Sequence, residues 1–326
     1  MSVSEILERL RELAALVVGD ICLDRWCHYD PAAAEPSGET GLARIAVVRT
    51  EVTPGAGGTV ANNLAALGVR RTAVLGAIGE DGFAFELVGA LRARGIEADL
   101  LVSSARIQTF TYTKLLNAET EVEDLPRVDF INTRPLPDEV EREVLERLRR
   151  HARDFDVILV SDQAETAQGG VVTQAVRQLV KELAAAAPEK VFWVDSRMRA
   201  ELFRGVIVKP NREEAEAACR RALGVVDFGR LRRHIEAPWL VITEGARGAL
   251  VVGPEGETWV PTRAVAHPVD ICGAGDSFSA GAALALKVTG SPVEAARFGN
   301  LVASITIMKK GTGTASPEEV LAAAAC

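Results

Sequence analysis

The sequence lacks the features that mark several classes of protein. Its four histidines are scattered, so a histidine-based metal cluster is not expected. No apolar run is long enough to cross a bilayer. No block of Lys and Arg stands free of acids, and the net charge of −8 argues against nucleic acid or anionic membranes as partners. The cysteines are odd in number and lack a CxxC spacing, which predicts reduced thiols at Cys22, Cys27, Cys219, Cys272 and Cys326.

Two nucleotide-binding signatures are also missing. Because the chain contains no Gly-Lys pair, it lacks the P-loop pattern GxxxxGK[ST]. No GxGxxG follows the first predicted strand, which argues against a dinucleotide-dependent oxidoreductase. Residues 1–13 alternate acids, arginines and leucines at helical spacing, unlike the apolar core of a secretory signal. A cytoplasmic protein is therefore expected.

The 326 residues, 48% hydrophobic and 25% charged, alternate between strand-like and helical runs. Helical segments separate short apolar runs at 16–18, 73–75, 157–160, 191–194 and 206–208. This alternation predicts an α/β fold in one domain, 1–326, with a doubly wound, mostly parallel sheet flanked by helices. Runs of alternating polar and apolar residues predict a smaller sheet with one wet face, within about 40–53 and 106–132.

The stretch 270–281 carries the strongest chemical signal. Gly273 and Gly275 flank Ala274, Asp276 follows, and a run of small residues predicts a helix. Glycines and a helix N-terminus supply backbone N–H groups that converge on an anion. A carboxylate beside a bound anion needs a role, and Asp276 can take the proton of a hydroxyl that attacks a phosphoryl group. The structural alternative is that Asp276 caps the helix behind a tight turn.

Polar residues also follow two predicted strands. Asp20 and Asp24 lie just past the first strand, where open α/β sheets bind ligands, and can accept hydrogen bonds from hydroxyls. A turn aspartate and a surface ion pair to Arg25 would explain them as well. Asn211 and Glu214 stand three apart at the start of a predicted helix. They form either a capping box or a shared polar site.

Two glycine-containing segments have the same ambiguity. Three glycines in 54–58 lead into an Ala/Leu helix, either as a ligand-binding helix N-terminus or as a flexible entry. The segment 243–248, Thr-x-Gly-x-x-Gly, lies between two apolar runs and is typical of a turn that requires glycine.

The Asp-x-x-Gly-Ala-Gly-Asp pattern at 270–276 resembles the C-terminal signature of the PfkB (ribokinase-like) carbohydrate kinases. Five motifs stand in family order between Gly19 and Ser316. The resemblance implies a ribokinase-like fold with the small sheet as a lid, ATP and Mg²⁺ as cofactors, and a small sugar or sugar phosphate as substrate. It also implies Asp276 as general base, with the N–H groups of Ala274, Gly275 and Asp276 holding the developing negative charge. Gly273 is counted with them among the catalytic residues.

The resemblance assigns further roles residue by residue. Nucleotide binding falls to Asn211, Thr243, Gly245, Gly248, Asn300 and Gly311. Glu214 would act on Mg²⁺ through water, and Asp270 would serve a monovalent cation such as K⁺. Ala56 and Thr59 stand where the family usually has glycine and asparagine. Sugar contacts are expected from Asp20, Asp24, Gly55, Gly57, Gly58, Thr59, Asn63 and Lys114.

The branch that the chain resembles most is the heptose-7-phosphate kinase branch, through motifs at 19–25, 113–114, 125–130 and 203–211. Alternation along 108–116 puts Phe110, Tyr112 and Lys114 on one face. Lys114 either snorkels beside the aromatic rings or reaches a phosphorylated substrate. A homodimer through the lid is a further expectation. A nucleoside kinase of the same fold and a catalytically silent sugar or nucleotide sensor remain the alternatives.

Overall fold

The computed structural model describes residues 1–166, 168–263 and 265–325, so Cys326 lies outside the described residues. Strands and helices alternate along the chain. The strands are β1 (Ala14–Gly19), β2 (Ile21–Tyr29), β3 (Val47–Ala56), β4 (Arg71–Leu75), β5 (Ala77–Gly79), β6 (Val102–Ser104), β7 (Thr111–Asn117), β8 (Val128–Phe130), β9 (Val157–Asp162), β10 (Val191–Ser196), β11 (Ile207–Val208), β12 (Leu240–Thr243), β13 (Gly248–Gly253) and β14 (Gly256–Pro261). The helices are α1 (Val3–Leu10), α2 (Gly57–Ala66), α3 (Gly82–Arg92), α4 (Asp138–His151), α5 (Gln174–Ala186), α6 (Arg212–Leu223), α7 (Phe228–His234), α8 (Ala274–Thr289), α9 (Pro292–Thr306) and α10 (Pro317–Ala324).

Eight strands form the large sheet, in the order β14-β13-β12-β11-β10-β9-β1-β4. Pairing is parallel from β12 to β4 and antiparallel among β12, β13 and β14. Side chains along a strand alternate between faces, so Leu16 and Val18 pack on one side while Ala15 and Val17 pack on the other. Helices cover both faces, and the predicted doubly wound, mostly parallel sheet is confirmed.

A second sheet has the order β3-β2-β7-β8, and we call it the small sheet. It overlaps the predicted segments 40–53 and 106–132, but β3 begins at Val47 and runs on to Ala56. It also includes β2, which the sequence did not predict as a strand. Only Asp20 separates β1 from β2, so one continuous run of chain passes from the large sheet into the small one.

Helix α8 begins at the carboxyl edge of the large sheet and packs tightly on α9. A Cβ on Gly281 would lie 2.9 Å from Val302 Cγ2, so glycine is needed where these helices approach each other. The carboxyl ends of β1, β9, β10, β11 and β12 meet at this same edge, where open α/β sheets bind ligands. Among the described residues, no helix has the length and apolar character needed to span a membrane.

Candidate active site

The turn before α8 is shaped by Gly273, which precedes the helix in a left-handed conformation with φ of 76°. A Cβ there would also lie 3.2 Å from Thr59 Cγ2 and 3.3 Å from Thr312 Cγ2. Asp276 is the third residue of the helix, and no side chain caps the helix N-terminus among the described residues. The capping alternative for Asp276 is therefore wrong.

Two backbone N–H groups at this turn already donate hydrogen bonds to backbone carbonyls. The Ala274 N–H donates to the Ile271 carbonyl at 3.2 Å, and the Ser277 N–H donates to the Gly273 carbonyl at 2.9 Å. Within the part of the chain that the structure describes, the N–H groups of Gly275 and Asp276 have no partner. The expected contribution of the Ala274 N–H is thus corrected, because that group closes the turn.

The Asp276 carboxyl is partly exposed, through a pocket between the small sheet and the turn. Burial, together with the nearby Asp195 and Asp24 carboxylates, raises the pKa of Asp276 to about 7. Lys209 and Arg197 act in the opposite direction. A carboxyl with this pKa ionises near neutral pH, which suits a group that takes and gives a proton.

The pocket in front of Asp276 is rich in cations. Lys114 and Arg127, from the small sheet and the loop before β8, line it together with Arg197, which follows β10. Arg127 also lies over the Tyr112 ring, 5.2 Å from its centroid, and pairs with Asp129 at 2.7 Å. Arg197 is tied to Glu165 and donates to Gln163 Oε1 at 2.9 Å. This side of the pocket can therefore hold an anionic group.

Asp24 projects into the same pocket from β2. Burial raises the pKa of Asp24 to about 6, although Lys114, Arg127 and Arg197 oppose that shift. Gly55 on the paired strand β3 leaves room for this carboxylate, since a Cβ there would lie 2.4 Å from Asp24 Oδ1. Gly55 therefore makes space for Asp24.

Several residues expected at the sugar lie behind the pocket. Asp20 is 1% exposed and accepts hydrogen bonds at 2.8 Å from the N–H groups of residues 163, 164 and 171, so its carboxylate holds the chain after β9. Gly57 and Gly58 let α2 pack closely, since added Cβ atoms would lie 2.7 Å from Ile21 Cδ1 and 2.5 Å from Pro54 Cβ. Asn63 is fully buried and donates to the Thr59 carbonyl. Thr59 itself lines the pocket, beside Ala56.

A second cleft lies on the other side of the turn and is mostly apolar. Four residues expected at the nucleotide line it: Thr243, Gly245, Gly248 and Asn300. Its walls also include Ile271, Phe278, Ala303 and Ile307, none of which the sequence indicated. Gly311 does not line this cleft but lies near Trp26 on the small-sheet side, and its expected nucleotide role stays a prediction.

Asn211 and Glu214 form a reciprocal capping box at the start of α6. Asn211 Oδ1 accepts from the Glu214 N–H at 2.9 Å, and Glu214 Oε2 accepts from the Asn211 N–H at 2.7 Å. Burial and the nearby Asp195 raise the pKa of Glu214. The capping bond uses only Oε2, and one carboxylate acting through water fits Mg²⁺, which keeps most of its own waters.

The Asp270 carboxylate holds two loops together. Its Oδ1 accepts from the Cys272 N–H at 2.9 Å, and its Oδ2 accepts from the Gly311 N–H at 3.1 Å. Each oxygen therefore accepts one backbone hydrogen bond and keeps a lone pair, so the expected role of Asp270 toward a monovalent cation stays a prediction.

Comparisons with known proteins identify the family of this chain. Residues 17–319 match the model of the pfkB family carbohydrate kinases. The chain therefore belongs to that family, as its motifs predicted, and its enzyme class is that of a sugar kinase, a phosphotransferase with an alcohol group as acceptor.

Curated relatives narrow the comparison. The bifunctional protein HldE of Pelobacter propionicus is 32% identical over 334 residues, which cover 99% of this chain and 66% of that protein. HldE of Trichlorobacter lovleyi is 32% identical over 331 residues, covering 98% and 65%. The chain thus spans just under two thirds of the length of these relatives, and they agree with the branch indicated by the sequence.

Solved structures match the fold. Phosphofructokinase-2 from Escherichia coli, in complex with potassium, has a TM-score of 0.71 at 21% identity, covering 96% of this chain and 98% of that one. Ribokinase from Thermotoga maritima has a TM-score of 0.69 at 21% identity, covering 96% and 100%. The ribokinase-like fold predicted from the sequence is confirmed.

Proposed function

We propose that this protein transfers the γ-phosphoryl group of ATP to a hydroxyl of a phosphorylated sugar of the heptose 7-phosphate type. One observation carries the proposal: the Asp276 carboxyl lies at a helix N-terminus between an apolar cleft and a pocket lined by cations. The cleft suits a nucleotide base, and the cationic pocket suits an acceptor that already carries negative charge.

In the proposed mechanism, Asp276 accepts the proton of the acceptor hydroxyl as the hydroxyl oxygen attacks the γ-phosphorus. The two available N–H groups, of Gly275 and Asp276, donate to the oxygens of the transferred phosphoryl group. Asp24 accepts a hydrogen bond from another sugar hydroxyl and orients the acceptor. Positioning and charge stabilisation supply most of the catalysis in phosphoryl transfer, so this small set of groups is sufficient.

The phosphate of the acceptor is proposed to bind Lys114 and Arg127. Both cations line the pocket on the small-sheet side, as Asp24 does, and Lys114 makes a loose contact, 3.7 Å, with the half-exposed Glu123. Arg127 lies over the Tyr112 ring and pairs with Asp129, and these two contacts restrict the position of its guanidinium. A phosphate between them would gain charge-assisted hydrogen bonds that an unphosphorylated sugar cannot make.

Mg²⁺ is proposed to accompany ATP, with Glu214 acting on it through water. When bound, the ion neutralises the negative charge of the β- and γ-phosphates. Asn211 orients Glu214 through the capping box, and Thr243 and Asn300 are proposed to contact the nucleotide. A monovalent cation such as K⁺ is proposed to bind beside Asp270, whose oxygens keep lone pairs beyond the two backbone N–H groups from which they accept.

The experiment that tests the proposal is a coupled assay of ADP release. Wild-type protein is given heptose 7-phosphate, other sugar phosphates, the matching unphosphorylated sugars, and nucleosides. The proposal expects a kcat/KM for at least one sugar phosphate that exceeds that of its unphosphorylated counterpart by about 100-fold, the value of one or two charge-assisted hydrogen bonds. Preference for a nucleoside would favour a nucleoside kinase. Binding without turnover, seen by calorimetry, would favour a sensor.

We also propose that two copies associate through the small sheet, in the cytoplasm. The edge strand β3 and the segment before it expose Leu42, Ile45, Val47 and Val48, with Leu42 72% and Val48 61% exposed. Exposed apolar residues clustered on an edge strand are typical of an interaction surface. The test is analytical sedimentation of wild type and of two variants, Val48→Glu and, as a control at another exposed valine, Val225→Glu. Wild type and Val225→Glu should sediment as dimers and Val48→Glu as a monomer. A wild-type monomer would contradict this.

A further inference from the structure

A buried ion pair lies beneath the turn that carries Asp276. Lys209, which follows β11, is 3% exposed, and its Nζ lies 2.6 Å from Asp195 Oδ2 at the end of β10. Lys209 Nζ also donates to the Gly275 carbonyl at 3.4 Å. Asp195 Oδ2 accepts from the Ser279 hydroxyl at 3.0 Å, one turn further along α8. The pair therefore connects two strands of the large sheet to the first turns of the helix.

The position of Lys209 constrains Gly275. A Cβ on Gly275 would lie 3.1 Å from Lys209 Nζ, a tight contact, so glycine leaves room for the ammonium group beside the backbone. Buried charges are costly unless they are paired and hydrogen-bonded, and removal of one partner leaves the other uncompensated. A buried ion pair at this place is therefore expected to have a role other than packing.

We propose that the buried Asp195–Lys209 pair is a positioning element for Asp276, which ties the first turn of α8 to the sheet edge and balances the charge facing the Asp276 carboxylate. The inference deepens the proposed function and rests on it for the role of Asp276 as base. Neither Asp195 nor Lys209 lines the pocket that holds Asp276. Both therefore act through Asp276 and the turn.

The charges around Asp276 give the two partners opposite effects. Asp195 from β10 and Asp24 from β2 disfavour its ionised form, while Lys209 and Arg197 favour it. The Cys272 thiol faces the same region, and burial raises its pKa, so it stays neutral near pH 7. Burial alone would lower the pKa of Lys209, but Asp195, Glu214 and Asp276 outweigh burial and the pKa is raised. Lys209 therefore keeps its positive charge across the working pH range.

The test measures the titration of Asp276 directly, without any substrate. In ¹³C-labelled protein, the side-chain carboxyl signal of Asp276 is identified by its loss in Asp276→Asn and followed from pH 4 to 9. Lys209→Met should raise the Asp276 pKa and Asp195→Asn should lower it, each by about 0.5–1 pH unit. The Asp276 pKa of the double variant should lie between the values of the two single variants. Lys181→Met, at an exposed lysine far from the turn, should leave it unchanged.

A purely structural pair predicts something different: both variants would lose stability and neither would move the Asp276 titration. Unchanged titration in the folded variants would overturn the inference while leaving the kinase proposal intact. If Lys209→Met does not fold, the test rests on Asp195→Asn. An Asp276 pKa that does not fall in Asp195→Asn would then overturn the inference. In an active enzyme, the acid limb of kcat/KM should move with the carbon signal. Wild type that turns over no substrate would instead sink the kinase proposal, whatever the titration shows.

Discussion

Asp24 and Asp276 face one pocket from two separate parts of the fold, Asp24 from β2 of the small sheet and Asp276 from the first turn of α8. The Asp24 carboxylate disfavours ionisation of Asp276. Burial raises the pKa of Asp24 to about 6, and burial with Asp195 and Asp24 raises that of Asp276 to about 7. Two neighbouring carboxyls with raised and different pKa values are typical of sites that divide proton transfer and substrate orientation.

The first prediction follows from the Asp276 pKa. Because only the ionised carboxylate accepts a proton, kcat/KM should rise with pH through about 7 and level off above it. Well below that pH, the value should fall by about tenfold per pH unit. A profile that is flat between pH 5.5 and 8 would count against Asp276 as the base.

The second prediction concerns stability. In the unfolded chain an aspartate has a pKa of about 4. In the folded state the pKa of Asp276 is raised to about 7, so the folded protein binds this proton more tightly than the unfolded chain does. Proton binding at Asp276 therefore stabilises the fold. This stabilisation is complete below about pH 4 and is lost as the pH rises through about 7. At pH 8, Asp276→Asn, whose side chain carries no charge, should therefore unfold at a higher urea concentration than wild type. Its free energy of unfolding should be larger by roughly 1–3 kcal/mol. The advantage should shrink toward pH 4; equal or lower stability at pH 8 would contradict the raised pKa.

The third prediction concerns Ala56, which precedes α2 with φ of 50° and ψ of −119°. An L-residue with a side chain is strained in this region, whereas glycine is not. Ala56→Gly should raise the free energy of unfolding by about 0.5–2 kcal/mol, after the larger chain entropy of glycine is subtracted. Ala61→Gly, in the middle of the same helix, is the control and should lower it by about 1 kcal/mol. Destabilisation by Ala56→Gly would mean that no strain is stored there.

The fourth prediction separates the two binding sites. Lys114→Met removes one proposed phosphate contact and should raise KM for the sugar phosphate by about 10–100-fold, with KM for ATP nearly unchanged. Lys181→Met is the matched control, because Lys181 lies on the surface and pairs with Glu236. A parallel rise in both KM values, or none, would rule out a phosphate role for Lys114.

The apolar cleft gives the reverse prediction. Ala303 lies on its wall, and Ala303→Leu should narrow the cleft and raise KM for ATP by roughly 10-fold or more, leaving KM for the sugar phosphate unchanged. Ala303→Ser, which adds little volume, should behave like wild type. If the leucine variant raised only KM for the sugar phosphate, the two sites would have been assigned the wrong way round.

Features that depend on local sequence were predictable. The alternation of apolar and amphipathic runs indicated the large sheet, because the period of a strand and that of a helix are both local properties. The Gly-Ala-Gly-Asp stretch indicated the turn before α8, since glycine adopts the left-handed conformation of residue 273 without strain. The strand β2 was missed because Asp24 and Arg25 interrupt its apolar residues, and it directly follows another strand.

Features that depend on long-range pairing were not predictable. Arg197 and Arg127 reach the pocket from loops whose direction only the assembled fold determines. Asp20 was expected at the sugar because it follows β1, but three backbone amides beyond β9 bind its carboxylate. Asp195 lies near the end of β10 and Lys209 follows β11, and their pairing depends on the register between these two strands.

The most direct test of the whole account is the steady-state rate of Asp276→Asn on a verified substrate. Asparagine keeps the shape of the side chain but cannot accept the proton, so kcat should fall by roughly 10²-fold to 10⁴-fold. Affinity for ATP should hold or increase, because a negative charge near the phosphates has been removed. A variant that keeps the wild-type kcat would contradict the mechanism proposed for this site.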